Sequence, residues 1–339
     1  MRPIGTAIAA LICGACMSIE TPAVFPIVGV VHRQSAELDR IVPAGARIEK
    51  LAEGFVWSEG PVWIRHGAYL LFSDVPGNKM YRWSEADGLS VFLAPSGYAG
   101  TETGIFREPG SNGLIRGPGN TILLADHGNR AVAQLDLATR EKTFLATRFD
   151  GKRFNSPNDL VLASDGSIYF TDPPYGLEGL NQSPHKELPF NGVYRLRPSG
   201  EVELLDDSLT FPNGIILSPD ERTLYVAVSD PDRAQIFAYD RAGDGRVSNR
   251  RIFADLTAEA KQGLPGLPDG MAIDGAGNLF ATGPGGVYVF APDGRRLGRI
   301  DTGTAVANAA FGGEDGRMLY LASNHFIARL RTSTTGLGF

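Results

Sequence analysis

The sequence predicts an all-β fold, a six-bladed β-propeller with an N-terminal strand closing the last blade, on three observations. From Ala46 onward short apolar strands alternate with Asp-Gly and Pro-Asp turn pairs, and helical periodicity is nearly absent. Six times an acidic residue or an asparagine, mostly followed by Gly, opens a new unit: Glu59 (SEGPVW), Asn112 (SNGLI), Asn158 (PNDLVL), Asn213 (PNGIIL), Asp269 (PDGMAI) and, less cleanly, Asn308 (ANAAFG). Successive openers stand 39 to 56 residues apart, close to the roughly 40 to 50 residues of a four-stranded blade.

Each opener is followed by a second and third strand, in GAYLLFSDVPGNKMYRW, GNTILLADHGNRAVAQLD, DGSIYFTDPPYGL with FNGVYRL, ERTLYVAVSDPDRAQIFAYD, AGNLFATGPGGVYVF and DGRMLYLASNHFIARLR. Connecting stretches such as TFLATRF, EVELLDD and RIFADL supply a fourth. An open ring would leave unpaired strand edges. The strand around Ala46 to Leu51 has no blade of its own and is expected to complete the last one.

A chain of 339 residues, 43% hydrophobic and 21% charged, is long enough for a sizeable core, and internal repetition argues for one domain spanning residues 46–333. The formal charge of −6 and the lack of a basic patch exclude a nucleic-acid partner. A small-molecule substrate fits better. Met1-Arg2 and the apolar run Ile4 to Ala15 read as a secretory signal, residues 1–18, too short to span a bilayer. The protein is therefore expected to be exported, periplasmic or secreted, with no transmembrane span once the signal is removed. Both cysteines, Cys13 and Cys16, fall in that region, so no disulfide is expected; Cys16 after Gly14-Ala15 is also placed for lipid attachment. Residues 19–45 read as a linker or loose arm, and 334–339 as a C-terminal tail.

If the openers head the inner strands, their oxygen-bearing side chains converge on one axis, and mixed carboxylate and amide oxygens suit a hard divalent cation such as Ca²⁺. Asx-Gly pairs elsewhere, such as Asp165-Gly166 and Asp293-Gly294, sit in hairpins and read as turn formers. The loops after the second strands surround the same mouth. They include Ser73 to Pro76, Asp126 to Arg130, Thr171 to Tyr175 and Ser323 to His325, polar loops on a rigid frame. A cation there would polarise a carbonyl, and the acids near the axis that could take a proton from water are Glu59 and Asp269. No G-x-S-x-G nucleophile signature competes.

The ordered set GFVWSEGPVW, SNGL, ADHGNR, KRFNSPNDLV, SDGSIYFTDPPYG, PFNGVYR, PNGI with SPDERTLYV, GLPDGM and ATGPGGVYVF resembles the gluconolactonase branch of the senescence-marker-protein (regucalcin-like) family, from Leu51 to Arg331. The resemblance implies a six-bladed propeller that opens the ring ester of a sugar lactone with one divalent metal, most often Ca²⁺, with Mg²⁺, Mn²⁺ or Zn²⁺ as substitutes. Carried over, the metal ligands would be Glu59, Asn158, Asn213 and Asp269, with Asp269 also the general base. Asn112 would contact substrate or a water beside the metal. His127, with Arg130 and Tyr175, is expected to face the pocket, orienting substrate or serving as a fallback base. Asn308, without a following Gly, reads as structural. A phosphotriester hydrolase on the same metal, and a non-catalytic ligand-binding propeller, are the alternative readings.

Overall fold

The computed structural model describes residues 24–338, and the expected signal region lies outside them. Six antiparallel sheets of four or five strands follow one another around an axis. The first blade is built from Ser58–Ile64, Tyr69–Asp74, Lys79–Ser84 and Gly88–Leu93, innermost strand first. The inner strands of the next five begin at Ser111, Leu160, Pro212, Met271 and Asn308. Among the described residues the helical content is one short helix, Thr257–Lys261, and three 3₁₀ turns, and no helix is long and apolar enough to cross a membrane.

Two-residue alternation explains how the ring holds together, because a strand buried on both faces sends successive side chains to opposite neighbours. In Tyr69–Asp74, Leu70 and Phe72 pack toward the last blade with Trp63, Tyr320 and Ile327, whereas Leu71 packs toward the second blade with Leu114, Ile122 and Leu124. The same division produces six apolar clusters, one between each pair of neighbouring blades. The seam between first and last blade carries a stacked Trp63–Tyr320 pair, with centroids 5.3 Å apart.

Closure is as expected: Ile48–Glu53 pairs antiparallel with Phe326–Arg331, so the N-terminal strand is the fourth strand of the last blade. The expectation of a loose arm before it is corrected for the described part. Ile27–Val28 adds to the edge of that closing strand, and Val30–Arg33 pairs with Arg296–Asp301 on the fifth blade. Leu38 and Val42 then bury completely in the cluster between these two blades. Two short edge strands joined through Gly29 carry little periodicity, which is why the sequence hid them; Gly29 (φ +63°) sits where an added Cβ would meet the Asp301 carbonyl at 1.9 Å. The C-terminal tail also docks, with Leu337 N–H donating to the Ile273 carbonyl and Thr334 to Asp274.

Candidate functional site

The blade openers meet because each opener, or the glycine after it, packs on the next blade. A Cβ added to Gly60 would lie 2.3 Å from the Asn112 carbonyl oxygen, one on Gly113 2.7 Å from that of Asn158, and one on Gly214 2.1 Å from that of Asp269. One on Gly270 would collide with the Asn308 side chain, whose Nδ2 donates to Glu59 Oε2 at 3.1 Å and closes the circle. The Asx-Gly signature therefore reflects backbone approach between blades, not only turn chemistry. In the first, second and fourth blades the strand register slips at the opener, between Glu59 and Val62, Ser111 and Leu114, and Pro212 and Ile215. Such a bulge re-aims a side chain.

Hydroxyls at the ends of the second strands reinforce the hub. Ser73 Oγ donates to the Asn112 carbonyl (2.9 Å), Thr171 Oγ1 to that of Asn213 (2.6 Å), and Ser229 Oγ to that of Pro268 (2.5 Å). These residues were legible as loop polars, yet their recurrence as Ser-Asp or Thr-Asp pairs was the signal that could have marked them.

Glu59, Asn112, Asn158 and Asn213 are all buried at the hub, and Asp269 remains partly exposed. Two further acids join them. Asp159 stands where other openers have Gly, its carboxylate accepting Leu160 N–H (2.9 Å) and, from the next blade, Ile215 N–H (3.2 Å). Glu108 reaches in from the loop before the second blade. Burial pushes Glu59 up to about 8, with Asp159 and Glu108 adding repulsion against the Gly60 and Asn308 donors. Burial likewise raises Asp159 to about 7. Asp269 is raised well above the usual carboxylate range by burial and then by Glu59, Asp159 and Glu108. Four carboxyls thus share one poorly solvated space.

The amides complete the donor set. Asn213 donates Nδ2 to Ser229 Oγ at 2.8 Å, and Asn112 Nδ2 lies 3.2 Å from His127 Nε2; the Oδ1 of each is buried with no hydrogen-bond donor. Orphaned buried acceptors beside clustered carboxylates call for a positive partner. Carboxylate and amide oxygens are the ligand set of a hard divalent cation, so these residues fit such an ion. Among the described residues no group of three or more His, Cys, Asp or Glu stands in ligating geometry, so any cation here depends on the amides. Asn308 is occupied at both ends, by Glu59 and by Ala309 N–H, which agrees with a structural part.

The mouth residues divide. Tyr175 stacks on Phe211, with centroids 5.7 Å apart, close enough to Asp269 for its charge to act on the phenol. His127 lies in the expected loop, but its imidazole is completely buried behind Asn112 rather than open to the pocket. Arg130 turns away from the hub, with Nε donating to the Phe154 carbonyl (2.5 Å) and Nη1 3.5 Å from Glu187. Sequence adjacency to His127 does not carry across a turn whose last residue, Arg130, has φ +56°.

These features define a six-bladed propeller with an oxygen-rich site at the hub. Residues 57–325 match the SMP-30/gluconolactonase/LRE-like region, and the chain belongs to that family. It is 45% identical over 99% of its length to a gluconolactonase of Zymomonas mobilis, covering 96% of that protein. It is 27% identical to a pentonolactonase of Haloferax volcanii, over 78% of this chain and 80% of the other. A solved gluconolactonase of Xanthomonas campestris superposes with a TM-score of 0.77 at 31% identity, over 93% of this chain and 99% of that one.

Proposed function

We propose that the protein hydrolyses the ring ester of a sugar lactone, with one divalent cation, most often Ca²⁺, held by Glu59, Asn158, Asn213 and Asp269. The observation that carries this reading is the hub itself: crowded, burial-raised carboxyls on the strands whose Asn112 and Asn213 side-chain oxygens are buried without a donor. Relatives named for lactone hydrolysis over nearly the whole chain support the substrate class.

The bound cation supplies Lewis-acid polarisation of the lactone carbonyl. The chain's own residues do the rest. Asp269, the least enclosed of the four hub carboxyls, is the one assigned to take the proton from the attacking water and return it to the ring oxygen as the ester bond breaks. Glu59 is 2% exposed and receives the Gly60 N–H (2.8 Å) and the Asn308 amide, a ligand's setting rather than a base's. Asn112, whose buried Oδ1 has no donor, is assigned to orient water or a lactone hydroxyl. The outcome is one hydroxy acid from one lactone and one water.

The test is hydrolysis of five- and six-membered sugar lactones, followed by pH-stat, by chelated protein resupplied with Ca²⁺, Mg²⁺, Mn²⁺ or Zn²⁺, with a phosphotriester assayed alongside. Metal-restored lactone opening that outpaces phosphotriester cleavage is the expected result. Inactivity on every lactone with all four metals, or a preference for the phosphotriester, would overturn it.

A further inference from the structure

Glu108 and His127 have no role in the chemistry assigned so far, yet both are buried beside the hub. The loop that carries Glu108 is clamped in place. Arg107 and Glu108 N–H groups both donate to the Gly176 carbonyl, Glu178 N–H returns to the Ile105 carbonyl, and Gly176 N–H donates to Ser156 Oγ. The two glycines at this junction have no room for a side chain. A Cβ on Gly128 would lie 2.1 Å from the Pro109 carbonyl oxygen, and one on Gly176 2.8 Å from His127 Cβ. The His127 backbone is tied too, its N–H donating to the Gly110 carbonyl at 3.2 Å.

Inside this clamp three side chains stand in line. Glu108 Oε2 lies 3.5 Å from His127 Nδ1, and His127 Nε2 lies 3.2 Å from Asn112 Nδ2. Nδ1 makes no hydrogen bond to another group among the described residues, so the Glu108 carboxylate is its partner by position. The other Glu108 oxygen is held by Arg107.

We propose that Glu108 and His127 are positioning residues that set which end of the Asn112 amide faces the substrate. A carboxylate opposite Nδ1 favours the tautomer with the proton on Nδ1. Nε2 is then a bare acceptor, and only the NH₂ end of Asn112 can satisfy it. Oδ1 is thereby turned to the hub, where an acceptor complements water, lactone hydroxyls and a cation. With the proton on Nε2 instead, the amide would flip and present NH₂ to the cation. His127 thus acts through Asn112 and takes no proton from water. The role deepens the lactonase reading and rests on it only for its kinetic consequence.

The tautomer is read directly from ¹⁵N-histidine NMR of the full chain at pH 7.5 with Ca²⁺ present, the His127 signals being assigned by their loss in His127→Gln. The expected wild-type pattern is an Nδ1–H imidazole. Glu108→Gln keeps the shape but offers Nδ1 a donor as well as an acceptor. It is expected to shift His127 toward the Nε2–H form and to lower kcat/KM about tenfold or more at unchanged Tm, a loss in the range of outer-shell substitutions at metal sites. Asn112→Asp, which presents an oxygen whichever tautomer prevails, should recover part of that loss in the Glu108→Gln background. An Nε2–H signal in the wild type, or no tautomer change in Glu108→Gln, would overturn the proposal whether or not any lactone is hydrolysed. A loss of kcat/KM in the double variant equal to the product of the two single fold-losses would also reject it.

Discussion

The axis changes character along its length. At the mouth side the inner strands begin with acids and amides, the Asn112 and Asn213 oxygens without donors, and the carboxyls there are pushed far above their usual range. One turn further along, the same strands line a cavity of about 390 Å³ with Trp63, Leu114, Leu160, Ile215, Ile273 and Phe311, which Leu337 reaches from the C-terminal tail. Asp159 and Asn308 stand at the boundary. The bulges and glycines sit at the polar end. The difference teaches that the ring gathers its ionisable groups at the end where bulges and glycines have shaped the backbone, and lines the rest of its centre with apolar side chains around a cavity.

The largest expected effect is on the chemistry of the polar end. Asp269→Asn should reduce kcat for lactone opening by about 10²- to 10⁴-fold, the span of a lost general base, while Ca²⁺ binding by calorimetry persists. A variant that keeps more than a tenth of the activity would move the base elsewhere. Glu59→Gln should separate binding from folding. It is expected to weaken Ca²⁺ at least tenfold, yet to raise the stability of chelated protein at pH 8 by about 1 to 3 kcal/mol, because a neutral amide folds without the cost of protonating or desolvating a carboxylate. Destabilisation of the chelated form by this change would show that Glu59 is already neutralised within the chain.

A pH scan sharpens the same contrast. Glu59 and Asp159, at about 8 and about 7, hold their protons in the fold well above the unfolded values near 4. Between those limits the folded state binds more protons than the unfolded one, so stability present at the acid side is lost as pH rises through 7 to 8. Scanning calorimetry of chelated protein should find Tm falling from pH 5 to 8.5, and saturating Ca²⁺ should flatten the slope. A rising profile without metal would contradict the crowding of acids at the hub. The smallest effect belongs to the apolar end, where Ile273→Val should cost about 0.5 to 1.5 kcal/mol and leave lactone turnover within twofold. A tenfold activity change there would mean that the two ends of the axis are coupled.

Much of this was readable before any coordinates. Leu70, Leu71 and Phe72 announce a strand buried on both sides, and the spacing of Glu59, Asn112, Asn158, Asn213, Asp269 and Asn308 announces six units. Their convergence followed from counting blades. His127 and Arg130 were legible as residues of the right loop but not by direction: the turn ends with Arg130 itself in the left-handed region, and His127 is packed behind Asn112. Glu108 was not legible at all, since it lies in a loop without period and gains meaning only beside an imidazole from another loop.

By itself the sequence determined the alternation that makes strands, the turn pairs that end them and the acid or amide that heads each blade, since these are local properties of neighbouring residues. Only the tertiary structure decided that the segment before Ile48 is a strap over two blades, and that Glu59 and Asp269 share their space with Asp159 and Glu108. It also decided that one asparagine leans on a histidine while another leans on a serine. Those facts depend on which distant residues the closed ring brings within a few ångströms, and closure is a property of all six blades at once.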